Sequence, residues 1–341
     1  MNTYHDDINH IFYESLPWEK LSGTNILITG ATGLIGSTLV DVLMSNPRRD
    51  YSVYASGRNI ERGQKRFEKY LSLDTFRFIR YDVMTSLQSD VQFDYIIHAA
   101  SNASPNTFFK NPVEIVKANI LGVSNLIEYG MGHGMKRFLY VSSGEVYGEG
   151  DGRVMTEEYS GYVDCLNPRS CYPSSKRTAE TLCVSYASEY GADVVIARPC
   201  HVYGPNFTES DNRVYAQFIR NILHEEDIVL KSKGEQVRSW CYVVDCVSAL
   251  LYVLLKGASG EAYNIADPNS VLTIRQLAEM LAEIGSRKVV MDIPSDIEKS
   301  VFNPVSKSVF SVDKLERLGW KVSGNMYEKM SKTVSQVRHI S

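Results

Sequence analysis

An apolar run that ends in three spaced glycines constrains the fold of this 341-residue chain more than any other feature. Residues 25–29 read as a buried strand, Gly30, Gly33 and Gly36 follow at three-residue intervals, and apolar residues then recur at helical spacing. Glycines let a backbone turn approach a pyrophosphate closely, and the helix N-terminus offers it unpaired N–H groups. The pattern therefore predicts a dinucleotide site, against the alternative of a purely structural strand–helix turn.

Composition excludes several classes of function. Hydrophobic residues make up 44% of the chain and charged residues 22%, with a formal net charge of -4, so nothing points to nucleic acid or to an anionic membrane. Residues 1–20 are polar and charged, unlike a secretory signal, and no apolar stretch is long enough to span a bilayer. Six cysteines without C-x-x-C or zinc spacing predict no metal site and a reducing, cytoplasmic location.

Strands and helices alternate along residues 25–198, which predicts an α/β fold with a doubly wound parallel sheet. Strands are predicted at 25–29, 51–55, 76–81, 94–100, 138–141, 194–198 and 262–265. Helices are predicted at 112–130, 172–190, 214–224 and 273–284. The expected division begins with an N-terminal extension at 1–21, in which Pro17 ends a helix. A dinucleotide-binding domain follows at 22–199, and residues 236–266 return to it. A smaller, irregular substrate lobe is expected at 200–235 and 267–330.

The end of the second strand bears on the choice of dinucleotide. An acidic residue at this place would bond the ribose 2′-hydroxyl, but the chain has Gly57 followed by Arg58. Arg58 suits a 2′-phosphate and so NADP, while a solvated arginine beside an NAD site is the alternative.

A tyrosine and a lysine four residues apart provide the candidate chemistry. Tyr172 and Lys176 lie on one face of a predicted helix, and Ser143 ends the fifth strand. A lysine near a tyrosine hydroxyl favours the phenolate, so we expect the pKa of Tyr172 to fall and the residue to act as a base. A tyrosine and a lysine at this spacing are common by chance. The pair indicates catalysis here because it lies downstream of the glycine turn, with a strand-end serine between them.

Motifs spread over residues 25–320 together match one group of enzymes. They are Gly30-x-x-Gly33-x-x-Gly36, His98-Ala99-Ala100, Asn119, Ser142-Ser143, Val146-Tyr147-Gly148, Tyr172-x-x-x-Lys176, Arg198-Pro199, Tyr203-Gly204-Pro205, Arg238, Tyr263-Asn264-Ile265 and Leu318-Gly319-Trp320. With them the chain resembles the extended short-chain dehydrogenase/reductase family of nucleotide-sugar epimerases, dehydratases and decarboxylases. The resemblance implies a Rossmann-like sheet, a retained NAD cofactor, a UDP-linked sugar substrate and a homodimer formed through the helices at 112–130 and 172–190.

The resemblance also implies a role for each matching residue. Tyr172 is the expected catalytic base, Lys176 its modulator and a ribose ligand, Ser143 its hydrogen-bonding partner, and Glu145 a further catalytic group. The expected cofactor residues are Gly30, Thr32, Gly33, Leu34, Ile35, Gly36, Arg58, Asp82, Val83, Ala99, Ala100, Ser101, Asn119, Ser142, Tyr172, Lys176 and Pro199. The expected substrate residues are Ser104, Gly144, His201, Arg213 and Arg238.

The pair Gly144-Glu145 bears most directly on the reaction. Family dehydratases have Asp-Glu here and decarboxylases resemble Ser-Glu, while plain epimerases usually have a small or hydroxyl residue in place of Glu145. Three stretches, at 103–105, 167–180 and 238–243, resemble UDP-glucuronate decarboxylases more than other members. Glu145 is alternatively a strand-end carboxylate satisfied by backbone N–H groups.

Several residues depart from the decarboxylase pattern, and all touch the sugar end. Gly144 replaces a serine, Phe108 a tyrosine, His201 an asparagine, and 173–175 an acidic-glycine segment. The sequence therefore favours a decarboxylase of a UDP-hexuronate. A nucleotide-sugar 4-epimerase, a 4,6-dehydratase, an NADP-dependent carbonyl reductase and a non-catalytic cofactor-binding relative stay open.

Overall fold

The computed structural model describes residues 3–103, 105–209, 211–293, 307–322 and 324–340. Its strands are β1 (Asn25–Thr29), β2 (Ser52–Gly57), β3 (Phe76–Arg80), β4 (Tyr95–His98), β5 (Arg137–Val141), β6 (Val194–Pro199), β7 (His201–Tyr203), β8 (Ile228–Leu230), β9 (Val237–Tyr242), β10 (Ala262–Ile265), β11 (Val271–Thr273), β12 (Val289–Met291) and β13 (Lys307–Ser308).

The helices connect these strands. They are α1 (Tyr4–His10), α2 (Leu34–Ser45), α3 (Ile60–Arg66), α4 (Pro105–Lys110), α5 (Pro112–Gly132), α6 (Cys171–Tyr190), α7 (Val214–Leu223), α8 (Val243–Lys256), α9 (Ile274–Gly285), α10 (Asp313–Glu316) and α11 (Met326–Ile340). Short 3₁₀ turns lie at Ile11–Tyr13, Trp18–Leu21, Glu68–Tyr70, Gly144–Tyr147 and Pro168–Ser170. In the described part of the chain, none of the helices combines the length and the apolar character that crossing a bilayer requires.

Within the described ranges, seven parallel strands form the main sheet, in the order β10-β6-β5-β4-β1-β2-β3. The chain runs outward from β1 to β3, then crosses back to β4 on the other side of β1. The strand order therefore reverses between β1 and β4, and ligands of open α/β sheets bind beyond the carboxyl ends of the strands at such a reversal. The doubly wound parallel sheet predicted from the sequence is confirmed.

Glycine packing brings the ends of β1 and β4 together at this reversal. Gly30 has φ +67°, and a Cβ atom there would lie 2.6 Å from the Ala100 Cα and the Ala99 carbonyl oxygen. A Cβ on Gly36 would clash with the Gly30 carbonyl oxygen, so α2 starts directly against the turn. Side chains at these two glycines would force the strand, turn and helix apart.

The sheet separates two hydrophobic cores. Alternate side chains of β1 face opposite sides: Ile26 and Ile28 join the core that includes residues of α2 and α8, whereas Leu27 joins the core that includes residues of α5 and α6. Each of these three side chains is completely buried. The parallel strand is buried on both faces, which explains its continuous apolar sequence.

Smaller sheets cover the carboxyl edge of the main sheet. β9 pairs with β7, β11 and β13, and β8 pairs with β12. Of the segment 236–266, α8 packs on the main sheet and β10 pairs with β6, while β9 lies in a smaller sheet. The exact boundary of the substrate lobe stays a prediction.

The N-terminal segment packs on the body of the protein, but its helix is shorter than predicted. The expectation that Pro17 ends the helix is wrong, because α1 ends at His10 and one 3₁₀ turn follows. Glu14 is extended, and its carboxylate accepts a hydrogen bond from Ser248 of α8 at 2.6 Å. The chain leaves the helix early because this contact fixes Glu14 on α8.

A largely buried ion pair holds α6 on β6. Arg198 of β6 donates to Glu180 of α6 through Nε at 3.0 Å and through Nη2 at 2.6 Å. The Arg198 and Glu180 side chains are 14% and 11% exposed. Since α6 also holds Tyr172 and Lys176, this pair sets the height of both residues above the sheet.

We expect Glu180→Ala to lower the free energy of unfolding by about 3 kcal/mol or more, because it leaves the Arg198 charge buried without its partner. Denaturant unfolding measures the change. The control is Glu279→Ala, which breaks the exposed Arg275–Glu279 pair on α9 and should cost about 0.5 kcal/mol or less. Equal effects of the two substitutions would contradict the assigned role of the buried pair.

Candidate active site

A cavity of about 420 Å³ lies over the glycine turn, where the strand order reverses. We call it the dinucleotide cavity. Among the residues that line it are the following candidates from the sequence: Gly30, Thr32, Gly33, Leu34, Ile35, Gly36, Arg58, Asp82, Val83, Ala99, Ala100, Ser101, Ser142, Tyr172 and Lys176. The fold therefore brings together residues that lie far apart in the sequence.

The lining of the dinucleotide cavity fits phosphates and hydroxyl groups. The N-terminus of α2 opens into it, and no side chain caps its backbone N–H groups after Gly33. Ser56 and Ser142 line the same cavity, and their Oγ atoms are buried without a hydrogen-bonding partner. Buried polar atoms rarely stay unpaired, so these groups suit a polar ligand that reaches them.

Two of the charged candidates from the sequence, Arg58 and Asp82, line the dinucleotide cavity. Arg58 Nη1 donates to the Glu114 carboxylate at 2.9 Å, and both side chains are exposed. Asp82 accepts a hydrogen bond from the Met84 backbone N–H at 3.1 Å. The charge of Arg58 is thus already compensated at the place where a 2′-phosphate would need it.

Two of the candidate cofactor residues, Asn119 and Pro199, do not line the dinucleotide cavity. Asn119 lies behind its wall, accepting from Ser101 Oγ at 2.8 Å and donating to Ser175 Oγ at 2.9 Å. Pro199 lines a different cavity, described next. Ser104 lies outside the described residues.

A second cavity of about 570 Å³ adjoins the first, and we call it the sugar cavity. Its lining includes the candidates Ser143, Gly144, Glu145, Tyr172, Pro199, His201, Arg213 and Arg238. Tyr172 lines both cavities. Its side chain therefore lies where a bound dinucleotide and a second ligand would meet.

Tyr172 is buried, and its surroundings disfavour ionisation. Burial raises the pKa of its hydroxyl to about 12, and the negative charge of Glu145 acts in the same direction. A hydrogen bond with Ser143, the positive charge of Arg213 and a hydrogen bond with Ser101 oppose the shift. The expectation that the pKa of Tyr172 falls is wrong for the protein without ligands, because burial outweighs these interactions.

Lys176 faces the dinucleotide cavity from one turn further along α6. Its Nζ donates to the Val141 carbonyl oxygen at 2.9 Å and lies 5.8 Å from the centre of the Tyr172 ring. Burial lowers the pKa of Lys176 to about 7, against the opposing charge of Glu180. The amine is therefore positioned by the end of β5 and exchanges its proton near neutral pH.

Glu145 is held by an arginine that the sequence analysis did not select. Arg169 Nη2 lies 2.9 Å from each carboxylate oxygen of Glu145, and both residues line the sugar cavity. The Arg169 guanidinium carbon lies 4.6 Å from the centre of the Phe108 ring. The alternative in which backbone N–H groups satisfy Glu145 is therefore not the arrangement observed.

Other cationic groups give the sugar cavity a positive wall. Arg213 is paired with Asp211, whereas Arg238 donates to the Val237 carbonyl oxygen at 3.0 Å. Burial lowers the pKa of Arg238 to about 10, which leaves it protonated at neutral pH. His201 opens onto the cavity and is exposed there, and desolvation, then the charges of Arg238 and Arg213, lower its pKa. The imidazole is therefore neutral.

Gly144 leaves room for an aromatic ring from the C-terminal part of the chain. A Cβ atom on Gly144 would lie 2.2 Å from Phe310 Cζ. Phe310 is 4% exposed and packs with Val146, Tyr147 and Met155. The serine of the decarboxylase pattern does not fit beside this ring, so Gly144 and Phe310 depend on each other.

The sequence analysis missed Arg169 and Phe310 for different reasons. Arg169 lies in a stretch that carried the family resemblance, so its position beside Tyr172 was a usable signal. Phe310 gave no signal, because its contact with Gly144 joins residues far apart in the chain.

Comparisons with known proteins agree with this geometry. Residues 26–266 match the model of the NAD dependent epimerase/dehydratase family. UDP-glucuronic acid decarboxylase 6 of Arabidopsis thaliana is 35% identical over 301 residues, or 88% of this chain and 84% of that protein. The UDP-glucose 4-epimerase of Thermotoga maritima, solved with UDP-glucose, is 27% identical with a TM-score of 0.78, over 93% of this chain and 99% of its own. The dTDP-glucose 4,6-dehydratase of Streptomyces venezuelae, solved with NAD, shares the fold at 24% identity, with a TM-score of 0.80 over 92% and 97%.

We expect Gly144→Ser to destabilise the protein by about 1–3 kcal/mol, because the new side chain overlaps the buried Phe310 ring. Combining it with Phe310→Ala should cost less than the sum of the two single substitutions, since the smaller residue removes the overlap. Denaturant unfolding of the four proteins measures this coupling. The control is Gly132→Ser, which places its Cβ in open space. Strict additivity would contradict the close packing of Gly144 on Phe310.

Proposed function

The chain belongs to the NAD-dependent epimerase/dehydratase family, and we propose that it oxidises C4 of a UDP-hexuronate and releases carbon dioxide, with UDP-glucuronate as its substrate. The observation that carries this proposal is the position of Tyr172 on the boundary of two cavities. One hydroxyl group thereby serves a sugar on one side and a cofactor on the other. The similarity to UDP-glucuronic acid decarboxylase 6 over 88% of the chain supports the choice of sugar.

The cofactor is NAD, and the residues of the dinucleotide cavity hold it. Bound there, NAD would supply the acceptor for the C4 hydride and would return it, with no net redox change. The uncapped α2 terminus binds its pyrophosphate, and Ser142 Oγ offers a hydrogen bond in the depth of the cavity. Because Arg58 is already paired with Glu114, the cavity is better suited to a free 2′-hydroxyl than to a 2′-phosphate.

Tyr172 acts as the base on the sugar O4 hydroxyl. Ser143 shares a hydrogen bond with Tyr172, so its hydroxyl reaches the same oxygen and orients it. Lys176 lies one turn away with a pKa of about 7, and Val141 fixes its amine toward the dinucleotide cavity. Ser143 hydrogen-bonds to Tyr172, and Lys176 lies beside the Tyr172 ring. Both residues are therefore placed to assist proton transfer to and from the Tyr172 hydroxyl.

The pair Gly144-Glu145 at the sugar cavity supports decarboxylation rather than dehydration. Once C4 is a ketone, the C6 carboxylate is β to it. The C5–C6 bond then breaks, its electrons form the C4–C5 enolate, carbon dioxide leaves and C5 takes up a proton. No leaving hydroxyl needs an acid, whereas a 4,6-dehydratase needs one. In this chain Gly144 stands where the dehydratases have the aspartic acid. Glu145 is the carboxylate that stays in the Gly144-Glu145 pair, and we assign it to orienting the sugar ring.

Two cationic residues support a diphosphate-linked substrate. Arg238 and Arg213 line the sugar cavity, and both remain protonated at neutral pH. His201 beside them is neutral, so it recognises the substrate by hydrogen bonding rather than by charge. Since Asp211 already compensates the charge of Arg213, we assign the diphosphate chiefly to Arg238 and a neighbouring hydroxyl to His201.

We also propose a cytoplasmic homodimer formed through α5 and α6. These helices pack side by side and carry exposed apolar residues. Those residues are Val113 and Leu121 on α5, and Val184 and Tyr190 on α6. The six cysteines, all in the described ranges, are free thiols, which suits a reducing compartment.

Purified protein incubated with UDP-glucuronate should release carbon dioxide and form UDP-xylose, both followed by mass spectrometry. Tyr172→Phe should slow this reaction by about 10²- to 10⁴-fold, because the base is lost. Tyr13→Phe, at an exposed tyrosine distant in sequence from both cavities, is the matched control.

Three results would contradict the proposed reaction. An unchanged mass with formation of a galacturonate epimer would make the protein a 4-epimerase. Consumption of added NADPH by a carbonyl substrate would make it a reductase. Undiminished turnover by Tyr172→Phe would remove Tyr172 as the base.

We expect the double variant Leu121→Asp/Val184→Asp to be monomeric in light scattering, because it places charges on the proposed helical interface. Val290→Asp, at an exposed position on β12, should leave the dimer intact. A dimer that survives both charges would place the interface elsewhere.

A further inference from the structure

Four side chains form a continuous series of contacts beside the sugar cavity. The Tyr172 and Phe108 rings stack with centroids 4.8 Å apart and planes inclined by 22°. The Arg169 guanidinium carbon lies 4.6 Å from the centre of the Phe108 ring, and Arg169 Nη2 lies 2.9 Å from both oxygens of Glu145. The proposed base and the carboxylate beside it are therefore joined through two residues that lie between them.

Each end of the Glu145–Arg169 ion pair is anchored by its own backbone turn. Asn167 caps the turn Pro168–Ser170, because its side-chain oxygen accepts from the Arg169 backbone N–H at 2.9 Å. Ser143 caps the turn Gly144–Tyr147 in the same way, accepting from the Glu145 N–H at 3.2 Å. The ion pair therefore bridges the turn that follows β5 and the turn that precedes α6.

The buried Phe108 ring supports both Tyr172 and the Arg169 guanidinium. It is 1% exposed and packs with Ile115 and Cys171 as well as with Tyr172. A guanidinium group on an aromatic face loses little freedom when it pairs with a carboxylate, because its plane is already set. Phe108 thereby restricts Arg169 and Tyr172 together.

We propose that Arg169 and Phe108 are positioning residues that fix the Glu145 carboxylate relative to the Tyr172 hydroxyl, so that both groups meet one sugar ring. This inference rests on the proposed function, because it assigns Glu145 and Tyr172 to the same substrate. Arg169 also compensates the charge of Glu145 beside the base.

The positive charge of Arg169 therefore affects the pKa of Tyr172 in a direction that can be predicted. The charged or titratable groups around Tyr172 are Glu145, Arg213, Lys176 and Tyr140, and Arg238 acts on Glu145 in turn. The Glu145 charge raises the pKa of Tyr172. Removing Arg169 leaves Arg238 as a weaker compensation of that charge, so the pKa of Tyr172 rises further and the base ionises only at higher pH.

The kinetic test compares Arg169→Met in the native and the Glu145→Gln backgrounds. In the native background we expect a loss of about 10²-fold in kcat with a small change in KM, because the reacting groups are misplaced. The acid limb of the pH profile should move to higher pH. In the Glu145→Gln background both effects should nearly vanish, because Arg169 acts through Glu145.

Two further variants separate positioning from simple stabilisation. Arg169→Lys keeps the charge and should restore the native acid limb, while the loss of the planar group leaves kcat below that of the native enzyme. Arg275→Met, which breaks an exposed ion pair on α9, should change neither quantity. Equal effects of Arg169→Met in both backgrounds, or an unchanged acid limb, would overturn the proposal.

A crystal structure of the Arg169→Met holoenzyme tests the same inference without turnover. We expect the Glu145 carboxylate to leave its place while the Tyr172–Phe108 stack stays. An unmoved Glu145 would overturn the positioning role. If the native enzyme oxidises no UDP-sugar, the proposed function fails, and the position of Glu145 in this structure still decides the inference.

Discussion

The ion pair between Arg198 and Glu180 determines where the chemistry of this protein takes place. It joins β6 to α6 with little exposure to solvent, and α6 holds both Tyr172 and Lys176. Arg198 also donates to the Tyr147 hydroxyl at 3.1 Å, and that hydroxyl donates to Asn264 of β10 at 2.5 Å. Buried charges are tolerated when every partner is in place, so this network couples the turn after β5, the helix and the sheet edge.

The glycine turn allowed the dinucleotide half of the protein to be predicted from the sequence. Its geometry depends on two neighbouring strand ends. Gly30 has a positive φ and lies against Ala100, and a glycine at the first position together with a small residue at the second meets both requirements. The convergence of Ser143, Tyr172 and Lys176 also followed from the sequence, because parallel strands end on one side of the sheet. The same reasoning failed for the pKa of Tyr172, since the cost of burial depends on all surrounding residues.

The sugar half was less predictable because its contacts join distant segments. Phe310 fills the space beside Gly144, and Phe108 supports Arg169, yet neither contact follows from spacing or periodicity. Gly144 and Phe108 are also two of the departures from the decarboxylase pattern. A hydroxyl is replaced by the edge of an aromatic ring at Gly144, and an amide by a neutral imidazole at His201. The chain therefore combines the family's Tyr172-x-x-x-Lys176 pattern with a sugar cavity whose lining departs from the decarboxylase pattern.

The central claim is that Tyr172, a base shared by two cavities, takes the O4 proton while bound NAD would accept the C4 hydride, and that the same carbon is reduced again after carbon dioxide has left. The most direct measurement uses UDP-glucuronate carrying deuterium at C4 and follows both the mass of the product and the position of its label. The account predicts a UDP-pentose, lighter by one carbon dioxide, that retains deuterium at C4. A product of unchanged mass, or a decarboxylated UDP-pentose that has lost the label from C4, would contradict it.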